Sequence, residues 1–229
     1  MTTPNLRSKN YVIIVAGGSG SRMQSAVPKQ FLLLKDKPVL MRTAEAFYNC
    51  DAKPSIILVL PDSFHSFWRQ LCRDYDFHLP HILVIGGETR FHSVKNGLDT
   101  IKDNAESIVA VHDAVRPLTS KQIIDESYSY AAKFGNAITA VKSRDSVRQL
   151  NNGISKHLVR DEIYLIQTPQ TFQLAQLKKA YLQTYSTNFT DDASVVEQAG
   201  FKIHLIEGSY MNIKITFPED IGIAELLIA

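Results

Sequence analysis

The sequence predicts a doubly wound α/β fold with a mostly parallel sheet, and three observations carry that expectation. Short apolar runs rich in β-branched residues recur at 12–16, 56–60, 82–85, 108–111 and 137–141. Stretches with helical apolar spacing lie between them, as in Val39, Leu40, Thr43, Ala44 and Phe47, or Ile123, Ile124, Ser127, Tyr128 and Ala131. Strands alternating with helices build βαβ units, whose helices cover both faces of a parallel sheet. The third observation is a glycine-rich loop directly after the first run. That is the carboxyl end of a strand, where open α/β sheets bind their ligands.

Composition narrows the function classes. With 45% apolar content, the 229 residues suit one globular domain, 1–229, and not a disordered segment. A formal net charge of +2 without any dense Lys/Arg run argues against a nucleic-acid partner, so anion binding must be local. Cys50 and Cys72 are the only cysteines, and neither has a Cys or His at zinc-ligand spacing, so reduced, buried thiols are expected. Residues 1–10 are polar and the longest apolar runs are far too short to cross a bilayer. The expectation is a soluble, cytoplasmic protein with no membrane partner.

Each element has local reasons. The first run opens into Gly17-Gly18-Ser19-Gly20-Ser21-Arg22-Met23, followed by Pro28-Lys29-Gln30. Glycines allow positive φ and close backbone approach, so N–H groups can turn in on phosphate oxygens, with Arg22 and Lys29 as countercharge. The loop is not a Walker A sequence, which needs a Gly-Lys pair. Nor is it a dinucleotide fingerprint, because Met23 stands where the third small residue must pack. The third run leads through Gly86-Gly87-Glu88-Thr89-Arg90 and Ser93 into a helix over 94–101. Backbone groups of that Gly-Gly loop can read a base edge, and a turn with an N-cap explains the segment equally well. The fourth run ends in His112-Asp113-Ala114-Val115-Arg116-Pro117. An Asp at that place can hold a divalent metal, accept hydroxyl hydrogen bonds, or cap the turn while paired with Arg116. His112 is expected to pack or to bond internally.

The alternation stops after the fifth run. Residues 142–161 are polar and charged, and Asn151-Asn152-Gly153 marks a turn between strands expected near 146–150 and 154–159, a protruding β-hairpin. Helices are expected over 174–185 and 191–199, the second N-capped by Thr190 and closed by Gly200. A strand near 202–206 follows. In the strand-like segment 212–216, inward isoleucines would send Asn212 and Lys214 to the opposite face, toward solvent or a site. Pro218-Glu219-Asp220 opens a last helix.

Several motifs occur together: Ala16 through Met23 in the glycine loop, Pro28-Lys29-Gln30, His112 through Pro117, Thr168-Pro169-Gln170, Thr190-Asp191-Asp192-Ala193-Ser194 and Asn212-Ile213-Lys214-Ile215-Thr216. In this order, and over nearly the whole chain, the set resembles the 2-C-methyl-D-erythritol 4-phosphate cytidylyltransferases. The resemblance implies a Rossmann-like sheet of nucleotidyltransferase type. It also implies a reaction in which the 4-phosphate of methylerythritol attacks the α-phosphorus of CTP and expels pyrophosphate, with Mg²⁺ as divalent cation. Residues matching Arg22 and Lys29 stabilise the transition state in that family, and those matching Lys214 and Arg160 position the attacking phosphate. CTP would lie against Ala16, Gly17 and Gly18, with its cytosine near Gly87, Glu88 and Ser93. Asp113, Arg116, Thr168 and Thr190 would surround the polyol phosphate, with Asp113 also near the metal. The 142–161 excursion would be a dimerisation arm carrying Ser146 and Arg160 into the other site of a homodimer. Three positions depart from the family pattern: Ser146 replaces a usual Thr, Met211 a common Asp, and Glu88 a usual Asp.

Ribitol-5-phosphate cytidylyltransferases share the loop, the His112–Pro117 run, Thr-Pro-Gln and Asn-Ile-Lys. Five residues between Arg22 and Pro28 fit the methylerythritol enzymes better, as do Arg90 with Ser93-Val94 and Gly97-Leu98, and Arg144-Asp145-Ser146. An alternative of another class is a non-catalytic nucleotide-binding protein, which would need CTP contacts but no second group of cations such as Arg160 and Lys214.

Overall fold

A computed structural model of the chain describes residues 9–17, 27–102 and 106–228. The apolar runs become β1 (Asn10–Val15), β4 (Ser55–Leu60), β5 (His81–Ile85), β6 (Ile108–Asp113) and β7 (Asn136–Lys142), with the short ribbon β2 (Leu33–Leu34) and β3 (Lys37–Pro38) after the glycine loop. The hairpin β8 (Arg148–Asn151) and β9 (Ile154–His157) precedes β10 (Tyr164–Gln173) and β11 (Leu205–Glu207). Seven strands form one sheet in the order β11-β7-β10-β6-β1-β4-β5. β10 alone in it runs antiparallel, between β6 and β7. The mostly parallel, doubly wound sheet expected from the sequence is therefore what forms.

The helices are α1 (Val39–Asn49), α2 (His65–Asp74), α3 (Arg90–Asp99), α4 (Lys121–Phe134), α5 (Leu174–Ala180), α6 (Asp192–Gln198) and α7 (Glu219–Leu227). Successive β1 side chains point to opposite faces. Val12 and Ile14 join Leu40, Phe47, Trp68, Ile124 and Tyr128 from α1, α2 and α4. Ile13 joins Phe91, Val94, Leu177 and Val195 from α3, α5 and α6. Burial on both faces explains why these strands read as continuous apolar runs instead of alternating ones. Each such side chain contributes about 1.5–3 kcal/mol through its removal from water.

Helix α2, the β2–β3 ribbon and strand β10 are not legible in the sequence, and several other elements differ from expectation: α3 begins at Arg90 and not at 94, and β11 covers only Leu205–Glu207 of the strand expected near 202–206. Helix α2 and strand β10 lack the apolar runs that mark the other elements. Strand β10 carries Pro169 in its middle, and its pairing with β7 shifts register between Ile166 and Gln170. A residue without an N–H is tolerated where the ladder is interrupted. Helix α5 stops at Ala180, short of 185. Helix α6 is capped by Asp191, not Thr190: Asp191 Oδ1 accepts the Ser194 N–H at 2.8 Å and Ser194 Oγ accepts the Asp191 N–H at 3.2 Å. Segment 212–216 is not a strand. Asn212 and Ile215 are buried while Lys214 is exposed, because Ile215 packs with Leu34, Val39, Val115 and Ala224. The Ile215 N–H also donates to the Val115 carbonyl at 2.9 Å.

The hairpin forms as expected. Asn152 and Gly153 adopt φ of 48° and 79°, the pair of positive values a two-residue type I′ turn requires. Every residue of β8 and β9 is exposed. Among the described residues no helix is long and apolar enough to cross a membrane. Cys50 and Cys72 are free thiols, Cys50 buried and Cys72 half-buried.

Candidate active site

From β1 the sheet grows first to β4 and β5 on one side, then β6 pairs on the other. Connections leave that point in opposite directions, which opens a crevice at the carboxyl ends of β1 and β6. A cavity of about 250 Å³ lies there, lined by Ala16 and Gly17 after β1, Gly87, Glu88 and Ser93 after β5, Asp113 and Lys214. A second cavity, of about 300 Å³, is lined by Arg116, Gln167, Thr168, Thr190 and Asp191. The two share Arg90, Asp113 and Lys214.

Backbone bonds hold the first cavity's walls. The Ala16 N–H donates to the Val59 carbonyl at 2.9 Å, and Gln30 Nε2 donates to the Ala16 carbonyl at 3.0 Å. The Gly86 N–H bonds the Leu60 carbonyl at 2.8 Å, and the Gly87 N–H bonds Ser93 Oγ at 3.0 Å. A Cβ on Gly87 would stand 2.4 Å from the Cβ of His92, so glycine is required by close approach. Thr89 caps α3, leaving Ser93 to close the Gly86-Gly87 turn. Lys29 is buried and donates from Nζ to the Ile215 carbonyl at 2.9 Å. The turn that starts at Lys29 and the 212–216 segment are thereby tied together.

Asp113 is the electrostatic centre. Lys214 Nζ lies 2.9 Å from Oδ2, Arg116 Nε 3.3 Å from the same oxygen, and Arg90 Nε 4.0 Å from Oδ1. Burial alone would raise its pKa, but Lys214, Arg90 and Arg116 together hold the carboxyl well below the usual range. Burial lowers the pKa of Arg116, against the pull of Asp113. Arg116 Nη1 donates to the Asn212 carbonyl at 2.7 Å. Asn212 is buried in turn: its Nδ2 donates to the Thr168 carbonyl at 2.9 Å, and its Oδ1 accepts from the Thr119 hydroxyl at 2.8 Å. His112 packs edge-on to Phe47 at 4.8 Å, and burial pushes its pKa down to about 3, so it is neutral at pH 7 and structural.

The expectation that Asp113 ligates a metal does not fit this arrangement. Three cations surround it, and their charge opposes the close approach of a divalent ion. Thr168 and Thr190 line the second cavity together with Arg116. Ser146 and Arg160 line neither: Ser146 is exposed before the hairpin, and Arg160 lies 3.6 Å from Asp161 with its side chain 54% exposed. Gly18 and Arg22 lie outside the described residues. The sequence reading assigns no task to Arg90, which borders both cavities. Its place as the first helical residue after a Gly-Gly loop is the signal that could have found it.

Comparison with known proteins gives a consistent result. The family model described as 2-C-methyl-D-erythritol 4-phosphate cytidylyltransferase matches residues 10–229. A protein of that name from Phocaeicola vulgatus is 50% identical over 218 residues, covering 95% of this chain and 99% of its own. One from Bacteroides thetaiotaomicron is 48% identical over 220 residues, covering 96% and 100%. The crystal structure of the Francisella tularensis enzyme of the same name superposes with a TM-score of 0.81 at 35% identity, covering 96% of this chain and 100% of that one.

Proposed function

The chain belongs to the 2-C-methyl-D-erythritol 4-phosphate cytidylyltransferase family and is a nucleotidyltransferase of isoprenoid biosynthesis, and we propose that its reaction runs across the two adjoining cavities as one catalytic domain. The observation that carries this reading is their shared cationic wall. Two anions must meet there, and their repulsion at about 4 Å rises from about 1 to about 4 kcal/mol as the effective dielectric constant falls from 80 to 20. Buried and half-buried cations offset it.

CTP occupies the first cavity, its phosphates along Ala16, Gly17 and Gly18 and its cytosine against Gly87, Glu88 and Ser93. The polyol phosphate occupies the second, with its hydroxyls near Asp113, Thr168 and Thr190 and its phosphate on Lys214 and Arg116. An oxygen of that phosphate attacks the α-phosphorus of CTP, the bond to the bridging oxygen breaks, and pyrophosphate leaves. Catalysis is positioning and charge stabilisation, with no covalent work for the protein. Lys29 and Arg22 stabilise charge on the transferring group. Asp113 holds Lys214 in place, so the incoming phosphate meets a fixed ammonium. A divalent cation such as Mg²⁺ would be held mainly by CTP oxygens and water and would supply charge neutralisation there, while Asp113 stays paired with Lys214, Arg116 and Arg90.

The enzyme acts as a homodimer whose 142–161 arms are exchanged. Leu150, Ile154 and Val159 on the arm are 72%, 74% and 55% exposed, an apolar surface that a second subunit would cover. Ser146 and Arg160, which line neither cavity of their own chain, then complete the other site. The free thiols suit the reducing cytoplasm. The test incubates the protein with CTP, Mg²⁺ and either methylerythritol 4-phosphate or ribitol 5-phosphate and measures pyrophosphate release. Turnover with the first is expected; preference for ribitol 5-phosphate would overturn the substrate, and saturable CTP binding without turnover would leave a nucleotide-binding protein.

A further inference from the structure

Arg90 stands in the wall between the cavities and works in two directions. Its Nη2 donates to Asp192 Oδ2 at 2.5 Å, and its Nε lies 4.0 Å from Asp113 Oδ1. The Asp192 side chain is fully buried, and its other oxygen accepts from the Tyr181 hydroxyl at 2.6 Å. A carboxylate out of reach of water depends on such partners. Burial alone would lower the pKa of Arg90, but Asp192 and Asp113 raise it, so the guanidinium is a permanent cation.

These ties run toward the second cavity. Asp192 is the first residue of α6, directly after Thr190 and Asp191 in that cavity's wall. Gln170 fixes the same turn, donating to Asp191 Oδ2 at 2.9 Å and accepting from the Ala193 N–H at 2.8 Å. The nucleotide loop, by contrast, is closed without Arg90, through the Gly86 and Gly87 N–H bonds to Leu60 and Ser93.

We propose that Arg90 is a positioning residue for the acceptor pocket: by bridging Asp192 and Asp113 it sets the spacing between the Thr190 wall and the Asp113–Lys214 pair, and so selects an acceptor carrying both a phosphate and hydroxyls. This inference rests on the cytidylyl-transfer reading. A planar fork can serve two carboxylates at once, whereas a lysine is a single point charge.

The experiment compares wild type, Arg90→Lys, Asp192→Asn and the double variant by steady-state kinetics and CTP titration. Losing one charge-assisted contact predicts a rise in the acceptor KM of about tenfold in each single variant. Arg90→Lys keeps a cation on the first cavity's wall and Asp192→Asn leaves Arg90 itself in place, so CTP affinity changes much less than the acceptor KM, and kcat falls far less than KM rises. Because both substitutions open one clamp, the double variant is no worse than the poorer single. Unchanged acceptor KM in folded variants, a parallel loss of CTP affinity, or additive effects would overturn the proposal. Should Arg90→Lys fail to fold, the nearly isosteric Asp192→Asn decides alone; if neither folds, Arg90 is framework and the proposal fails. A wild type without turnover on CTP and methylerythritol 4-phosphate would instead refute the functional reading.

Discussion

Lys29 and Asp113 show how single residues combine support with chemistry. Lys29→Ala removes the cation proposed to stabilise the transferring group, together with a hydrogen bond to the Ile215 carbonyl. We expect kcat to fall by about 100-fold or more, well beyond what a loss of about 1.5–3 kcal/mol in unfolding free energy would cause in a protein that stays folded, measured by turnover and urea titration. Near-normal rates would remove Lys29 from the mechanism. Asp113 has a depressed folded pKa, so its contribution to stability is present above the unfolded value near 4 and is lost as pH falls toward the lower folded one. Asp113→Asn should therefore be destabilised relative to wild type at pH 7, with the gap closing below about pH 4. A gap independent of pH would contradict the ionic account. Glycine, Lys29 and Asp113 were all legible as candidates because their residue types and places after strands are local facts. The Asp113–Arg116 pair, three residues apart, was legible too. The meeting of Asp113 with Arg90 and Lys214 was not, since those two come from distant segments.

Among the elements, α3 is set by the sheet beneath it. A Cβ on Gly97 would stand 2.8 Å from Ile13 Cγ2 and 3.2 Å from Val59 Cγ2, so the helix lies close against β1 and β4. Gly97→Ala should cost about 1–3 kcal/mol in thermal unfolding, despite alanine's better helix propensity, because overpacking forces α3 outward. A stabilised variant would show that the helix has room to shift. The hairpin is the opposite case. Its eight strand residues are all exposed, so replacing 148–157 by a short Gly-Ser turn should leave the melting temperature nearly unchanged while abolishing turnover. Retained activity would show that the arm is dispensable. Its strands and type I′ turn were legible from Asn151-Asn152-Gly153; β10 was not, because a central proline and polar residues disguise a buried strand.

For the whole molecule, arm exchange makes a stoichiometric prediction. Lys29→Ala and Arg160→Ala chains, each inactive alone, should recover about a quarter of wild-type activity when co-refolded in equal amounts, because half the dimers are mixed and each then holds one complete site. No recovery, or a fully active monomer in sedimentation, would refute the exchanged dimer.

By itself the sequence determined the alternating α/β order, the glycine loop, the hairpin turn and the set of motifs that mark the family, since each is written in neighbouring residues. Only the tertiary structure decided that β10 enters the sheet antiparallel, that Asn212 is buried support and not a second outward group, and that Asp113 is saturated by cations. Those outcomes depend on contacts between residues up to about a hundred positions apart, such as Arg90 with Asp192, and no local pattern encodes which distant charge will meet which. The same physics explains why Arg90, inconspicuous in the chain, stands where the two cavities join.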